Sequence, residues 1–186
     1  MRIVAGVHKG RPLAAPRGMT TRPTADRARE ALFNKLAHAP WAPDIAGARV
    51  IDVFAGSGAL GFEALSRGAS FVLFVETDPG ARGAIRTNVE ALQAFGITKL
   101  HKGDAAHLGL KPEKVGAPFA LAFLDPPYGK GLGERALQRL HEGGWLAPGA
   151  LAVLETGAEE TPDLSGWDVL DTQDAGAAKF WFVRRG

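Results

Sequence analysis

The tetrapeptide Asp125-Pro126-Pro127-Tyr128 is the feature of the sequence with the clearest chemical meaning. It follows an apolar run, residues 119–124, that predicts a buried strand. Because prolines restrict the backbone and lack amide donors, the Asp125 carboxylate and the Pro126 carbonyl remain as acceptors. Two acceptors can hold the N–H groups of an amine on a nucleic-acid base, and the Tyr128 ring can stack on that base. We therefore predict that these four residues are a catalytic centre acting on an exocyclic amine.

A glycine-rich motif lies upstream, with Gly56, Gly58 and Gly61 in the pattern G-x-G-x-x-G. It follows a predicted strand and opens a predicted helix, which is the context that a nucleotide-binding loop requires. Glycines let the chain turn tightly and let a ligand lie against the main chain. The motif alone is compatible with a dinucleotide, with S-adenosylmethionine or with a plain tight turn. The predicted contacts of this loop are Phe54, Ala55, Gly56, Ser57 and Gly58.

Three carboxylates fall at or near the ends of successive predicted strands. Glu76 is placed to accept hydrogen bonds from ribose hydroxyls, and Asp104 from an adenine amino group. Asp52 comes just before the glycine loop and is placed to order the far end of the ligand. Each could instead be an ordinary solvated acid, but their shared location favours one binding crevice. Thr77 and Ala105, which adjoin Glu76 and Asp104, are predicted contacts as well.

Apolar runs alternate with helical segments from residue 48 onward, which predicts repeated βα units. The expected fold is α/β, with a doubly wound, mostly parallel, seven-stranded Rossmann-like sheet and an antiparallel last strand. The predicted strands are 49–54, 71–75, 98–101, 119–124, 150–154, 167–170 and 178–183. The predicted helices are 59–67, 79–95 and 132–141, after a first helix that Thr24 caps and that ends near residues 38–40.

The N-terminal part of the chain is strongly basic. Residues 1–40 hold eight lysines and arginines against two acids, although the whole chain carries a net charge of only +2. This asymmetry indicates either a polyanion partner or a solvated tail. We expect residues 1–40 to form a basic arm or hairpin and a helix on the substrate side, within one compact unit with residues 41–186. We also expect that deleting residues 1–20 leaves a folded body.

Composition excludes several classes of protein. The sequence has no cysteine, which rules out disulfides and thiolate metal sites, and its histidines show no metal-ligand spacing. No apolar run is long enough to span a bilayer. We therefore expect a cytoplasmic protein, without a metal or membrane partner, that is a monomer.

Two blocks, residues 22–34 and 52–69, together with the tetrapeptide 125–128, resemble the RsmD family. The resemblance covers residues 1 to about 155. It implies a class I methyltransferase fold, S-adenosylmethionine as cofactor and transfer to guanine N2 in 16S ribosomal RNA, at the 966-type position. It also implies a ribosomal RNA partner, as free RNA or within the small subunit. The predicted substrate contacts are Arg11, Arg22, Thr24, Arg27, Arg29 and Tyr128.

Three other functions remain open at this point. An adenine-N6 DNA methyltransferase would share the glycine loop and the tetrapeptide, but such enzymes usually carry a further recognition region. A nicotinamide oxidoreductase would leave residues 125–128 without a role. A non-catalytic RNA-binding assembly factor would have little need of Asp125 and Tyr128. Near the C-terminus, residues 174–178 depart from the more polar turn expected of the family.

Overall fold

The computed structural model describes residues 1–18 and 23–186 and consists of a central sheet with helices on both faces. Two short 3-10 turns follow the third strand. The strands are β1 Arg49–Val53, β2 Phe71–Glu76, β3 Thr98–Lys102, β4 Phe119–Leu124, β5 Leu146–Gly157, β6 Trp167–Ala175 and β7 Ala178–Arg185. The helices are α1 Pro23–His38, α2 Ala59–Ser66, α3 Pro79–Ala91 and α4 Leu132–Glu142.

The strands are arranged in the order β3-β2-β1-β4-β5-β7-β6. The first five along the chain pair in parallel, and β7 pairs antiparallel with both β5 and β6. The strand direction therefore changes only at the C-terminal hairpin. This confirms the predicted doubly wound sheet with an antiparallel end. Among the helices of the described residues, none has the length and apolar character needed to cross a membrane.

Two apolar layers explain why the central strands lack polar alternation. Side chains on one face of the sheet pack against α1, α2 and α3, with Phe33 and Phe62 fully buried. Those on the other face pack against α4 and the segments beside it, including Leu137 and Trp145. Strands covered on both faces are apolar at nearly every position. One exception is Asp52, a carboxylate in the middle of β1.

Two predicted boundaries differ from the structure. Helix α3 ends at Ala91 rather than at residue 95, because Gln93 adopts a left-handed conformation with φ 50°. The amide of Ala94 then donates to the carbonyl of Val89, which closes the helix. Helix α1 begins at Pro23, so Thr24 lies within the helix instead of capping it. Proline suits a first helical position because that position needs no amide donor.

The N-terminal segment, residues 1–18, packs against the body of the protein. Ile3 and Leu13 are only 1% and 6% exposed and belong to the apolar core. Arg2 and Pro12 form an antiparallel bridge, consistent with the predicted hairpin. The expectation that deleting residues 1–20 leaves a folded body does not agree with this packing, since deletion would remove Ile3 and Leu13 from the core.

Candidate active site

The carboxyl ends of β1, β2, β4 and β5 surround a cavity of about 660 Å³. In an open α/β sheet, ligands bind where the strand order reverses, which here is between β1 and β4. The volume is of the size that small-molecule sites have, roughly 300–1,000 Å³. Most predicted cofactor and catalytic residues line it: Asp52, Phe54, Ala55, Gly56, Ser57, Glu76, Thr77, Asp125, Pro126, Pro127 and Tyr128.

The glycine loop uses its three glycines for different purposes. Phe54 and Gly56 have φ values of 54° and 59°, so the chain leaves β1 through a tight left-handed turn. Such a conformation is strained for phenylalanine, and strain of this kind concentrates at functional sites. A Cβ atom at Gly61 would lie 2.4 Å from the Phe74 ring, so this glycine allows α2 to pack on β2. Gly58, with φ 81°, precedes α2 and is not among the residues that line the cavity.

Glu76 connects the glycine loop to the end of β2. Its Oε1 accepts a hydrogen bond of 2.7 Å from the amide of Gly56. Its Oε2 accepts from the amides of Thr77 and Asp78, both at 2.9 Å. Each carboxylate oxygen has two lone pairs, so a rigidly held Glu76 retains capacity to accept from a ligand. This geometry suits the predicted role toward ribose hydroxyls.

Asp52 lies beneath the glycine loop and is 1% exposed. Its Oδ2 accepts a hydrogen bond of 3.0 Å from the amide of Gly61, the first turn of α2. Burial raises the pKa of Asp52 from 3.8 to about 8, and the negative charge of Glu76 adds to this increase. The amide of Gly61 opposes it only in part. Asp52 is therefore mainly uncharged at neutral pH in the absence of a cation.

Because its pKa is raised, Asp52 should contribute less to the free energy of unfolding as pH rises. Asp52→Asn should remove this part of the pH dependence. Between pH 3.8 and about 8 the folded protein holds a proton that the unfolded chain has lost. The contribution of Asp52 to the free energy of unfolding then decreases by up to about 1.4 kcal/mol per pH unit. Urea unfolding of the wild type and of Asp52→Asn from pH 5 to 8 measures this difference. A difference between the two proteins that does not change with pH would contradict the assignment.

Residues 125–128, the predicted catalytic tetrapeptide, meet a residue of β5 at the cavity. The Tyr128 hydroxyl donates a hydrogen bond of 2.5 Å to Oε2 of Glu155, which is located on β5. Asp125 lies beside Glu155, because the residues before them, Leu124 of β4 and Leu154 of β5, are paired in register. Asp125 is open toward the cavity, yet protein atoms enclose it on its other sides. Desolvation by these atoms is the main reason why the pKa of Asp125 is well above its ordinary value, and the neighbouring Glu155 raises it further. Enclosure and Glu155 also raise the pKa of Tyr128.

Sequence reasoning missed Glu155 and Phe180 at this cavity. Phe180 pairs with Glu155 across β5 and β7, so the C-terminal hairpin contributes to the wall. Glu155 follows the predicted end of β5 at residue 154. The rule that singled out Glu76, a carboxylate at the end of a parallel strand, would have found it. No comparable signal in the sequence marks Phe180, because its position depends on hairpin register.

Asp104 and Ala105, two predicted cofactor contacts, are not among the residues that line the cavity. The Asp104 carboxylate accepts from the amide of Ala106 at 2.9 Å and contacts Nδ1 of His107 at 2.8 Å. The hydrogen bond with His107 lowers the pKa of Asp104, although the side chain is largely solvated. Ala105 is buried in the core on the α4 face of the sheet.

The predicted RNA-contacting residues have different surroundings. Arg11 donates to the Ala91 carbonyl at the end of α3, and Arg27 is exposed. Arg29 borders the cavity but is only 5% exposed, and it forms ion pairs with Asp26 and Glu63. Direct phosphate contact by Arg29 would require breaking these pairs. Arg22 and the side chain of Thr24 lie outside the described residues.

Comparisons with known proteins show the family of this chain. A family model described as Conserved hypothetical protein 95 matches residues 1–184. The chain is 39% identical over 159 residues to Ribosomal RNA small subunit methyltransferase D of Escherichia coli (strain K12), covering 86% of this chain and 76% of that protein. The chain belongs to this methyltransferase D family. The predicted family, RsmD, is thus confirmed.

Two further relatives support membership in the methyltransferase D family over the full chain. Identity to the protein of the same name from Haemophilus influenzae is 36% over 183 residues, covering 97% of this chain and 91% of that one. A solved Escherichia coli structure, described as the methyltransferase yhhF, has a TM-score of 0.79 at 34% identity, covering 100% of this chain and 97% of that one. The similarity therefore continues past residue 155 and includes the C-terminal hairpin.

Proposed function

We propose that this member of the methyltransferase D family transfers a methyl group from S-adenosylmethionine to the N2 amino group of a guanine in small-subunit ribosomal RNA. The observation that carries the proposal is the position of Asp125 and Tyr128 in the same cavity as the glycine loop and Glu76. Methyl donor and base can then meet at the carboxyl end of β4. By its resemblance, the target is the 966-type guanine of 16S RNA.

The cavity fits S-adenosylmethionine in size and in the chemistry of its lining. Glu76 offers carboxylate oxygens to ribose hydroxyls, and the backbone of Ala55, Gly56 and Ser57 borders the same space. Asp52 adds a carboxyl group that a cationic ligand would favour in its charged form. When bound, S-adenosylmethionine supplies a methyl group on a sulfonium sulfur.

The residues of the tetrapeptide orient the acceptor amine. Asp125 and the Pro126 carbonyl accept its two hydrogens, which turns the nitrogen lone pair toward the methyl carbon, and Tyr128 supports the base. Formation of the N–C bond would be balanced by cleavage of the donor's C–S bond, whose electron pair would stay on sulfur. The nitrogen then gives up one proton, for which Asp125 is the neighbouring acceptor. Placement of the two reactants accounts for most of the expected acceleration.

The family and the site also weigh against the alternatives. A nicotinamide oxidoreductase would use the glycine loop and Glu76 but not the tetrapeptide that borders the same cavity. A DNA methyltransferase acting on adenine is disfavoured because two curated relatives bear the name of a small-subunit ribosomal RNA methyltransferase. A non-catalytic assembly factor would bind RNA without methyl transfer and would have little need of Asp125 and Tyr128 at this cavity.

Methylation of purified RNA tests the proposal. The protein is incubated with methyl-labelled S-adenosylmethionine and small-subunit RNA from a bacterial strain that lacks the corresponding activity, as free RNA and as assembled subunits. Digestion to nucleosides should place the label in N2-methylguanosine, and primer extension should map one position. Label in N6-methyladenosine, or transfer to DNA instead of RNA, would overturn the proposal. RNA binding without transfer on either substrate would favour the assembly factor.

Replacing Glu76 by alanine should weaken cofactor binding by about 1.5–3 kcal/mol, since charge-assisted hydrogen bonds to the ribose are lost. Calorimetric titration with S-adenosylmethionine measures the change. Glu76→Gln is the matched variant, because it keeps an oxygen for the Gly56 amide but loses the charge. It should bind with intermediate affinity. Wild-type affinity in Glu76→Ala would remove Glu76 from the cofactor site.

A further inference from the structure

Glu155 is a carboxylate at the cavity that the mechanism above does not use. It lies on β5 beside Phe180 of β7, and it borders the same space as Asp125. The hydrogen bond of 2.5 Å from Tyr128 engages its Oε2 and fixes the orientation of the carboxylate. Asp125 and Glu155 directly follow Leu124 and Leu154, which are partners in the parallel pairing of β4 with β5. Two carboxyl groups of one cavity are thus held side by side.

Adjacent carboxylates call for a ligand that presents adjacent donors. When both groups are ionised, each can only accept, so together they suit a ligand with two neighbouring N–H or O–H groups. A proton shared between the two groups relieves the repulsion of their charges, which agrees with the raised pKa of Asp125. A ligand with two N–H groups side by side would replace that proton and satisfy both carboxylates.

Guanine is the RNA base that has such a pair of donors next to its amino group. Its ring N1–H lies directly beside the N2 amine. In adenine the ring nitrogen beside the amine is N1, and in cytosine it is N3. Both are acceptors without a hydrogen, so either would place a lone pair against a carboxylate. A substrate is strongly disfavoured when it places an acceptor against an acceptor of the site with no hydrogen between them.

We propose that Glu155 is a specificity-determining residue that accepts the N1–H of the target guanine, while Asp125 accepts an N2–H. The inference rests on the proposed transfer to guanine N2. It assigns to Glu155 the rejection of adenine and cytosine, and to Tyr128 a second task, which is to hold the Glu155 carboxylate in place. Together the two carboxylates recognise the adjacent N1–H and N2–H donors of guanine.

The test uses 2-aminopurine, a base that keeps the 2-amino group of guanine but lacks the N1 hydrogen. Small-subunit RNA is ligated with either guanine or 2-aminopurine at the mapped position, and single-turnover methyl transfer is measured on both. The wild type should methylate guanine about 10- to 100-fold faster, the effect of one hydrogen bond to a charged group. In Glu155→Gln that ratio should fall toward unity, because the amide can donate to the bare N1 of 2-aminopurine.

Glu160→Gln is the matched control. Glu160 also lies close enough to Tyr128 to affect its ionisation, but it does not border the cavity. Its substitution removes a nearby negative charge and should leave the ratio at the wild-type value. If Glu155→Gln is inactive on both RNAs, competition binding replaces turnover, and the affinity ratio of the two RNAs should still fall toward unity.

The outcomes separate this inference from the proposed function. If N2-methylguanosine forms but Glu155→Gln keeps the wild-type ratio, in turnover or in binding, Glu155 does not recognise N1–H and the inference is overturned. Equal rates of the wild type on guanine and 2-aminopurine would overturn it as well. If mapping finds no N2-methylguanosine, the proposed function itself fails before either substitution is tested.

Discussion

Replacing Asp125 by alanine should reduce single-turnover methyl transfer by about a hundredfold or more while leaving S-adenosylmethionine affinity unchanged. The proposed partner of Asp125 is the target amine, so its loss should affect the placement of the nitrogen and not the holding of the donor. Misplacing reacting atoms by about 1 Å can cost about a hundredfold. Rapid-quench transfer to RNA measures the rate, and calorimetry measures cofactor affinity for the same variant.

Asp125→Asn provides the graded comparison. The asparagine side chain has the same length and keeps an acceptor oxygen but loses the charge. The rate of Asp125→Asn should therefore fall between those of the wild type and Asp125→Ala. This order distinguishes an orienting acceptor from a residue whose only role is to terminate β4. Wild-type turnover in Asp125→Ala would mean that the tetrapeptide is a structural turn, and the proposed reaction centre would be wrong.

The sheet and most of the cavity were predictable because they depend on patterns that are local in sequence. Continuous apolar runs predict strands that are covered on both faces. The carboxyl ends of parallel strands meet at the same edge of the sheet. A carboxylate or glycine loop at each strand end must then lie at one edge of the sheet. Asp52, Glu76 and Asp125 follow from this rule. Glu155 fits the same rule, since it directly follows the predicted end of β5 at residue 154, as Glu76 follows the predicted end of β2 at residue 75.

The N-terminal segment was harder to predict because charge does not reveal packing. Arg29 was predicted to contact RNA, but it is paired with Glu63, which lies 34 positions away in the sequence. Likewise, Ile3 and Leu13 form two short apolar patches whose burial depends on contacts with distant elements. Nothing local distinguishes such patches from those of a solvated tail. The basic character of residues 1–40 therefore describes a segment that is partly inside the protein.

Replacing Glu63 by alanine should destabilise the protein by about 3–5 kcal/mol, the usual cost of removing one partner from a buried ion pair. Glu63 is fully buried, and its carboxylate joins three parts of the chain. It accepts hydrogen bonds from the amides of Val4 and Ala5 at 2.9 and 3.1 Å. It also pairs with Arg29 on α1 at 3.3 Å and with Arg67 just after α2 at 3.0 Å. Its loss removes the acceptor that two guanidinium groups and two amides share, so the N-terminal segment should detach from α2.

The Lys35–Asp171 ion pair is the matched control, because it is short but solvated. Its N–O distance is 2.6 Å, and the two side chains are 28% and 41% exposed. Exposed pairs contribute little, so Asp171→Ala should cost less than about 1 kcal/mol.

Urea unfolding at pH 7 compares both variants with the wild type, and limited proteolysis should cut residues 1–18 faster in Glu63→Ala alone. Since Arg29 borders the cavity, Glu63→Ala should also slow methyl transfer, whereas Asp171→Ala should not. A loss of stability no larger than that of Asp171→Ala would mean that the N-terminal segment is held by its apolar contacts and not by the buried carboxylate.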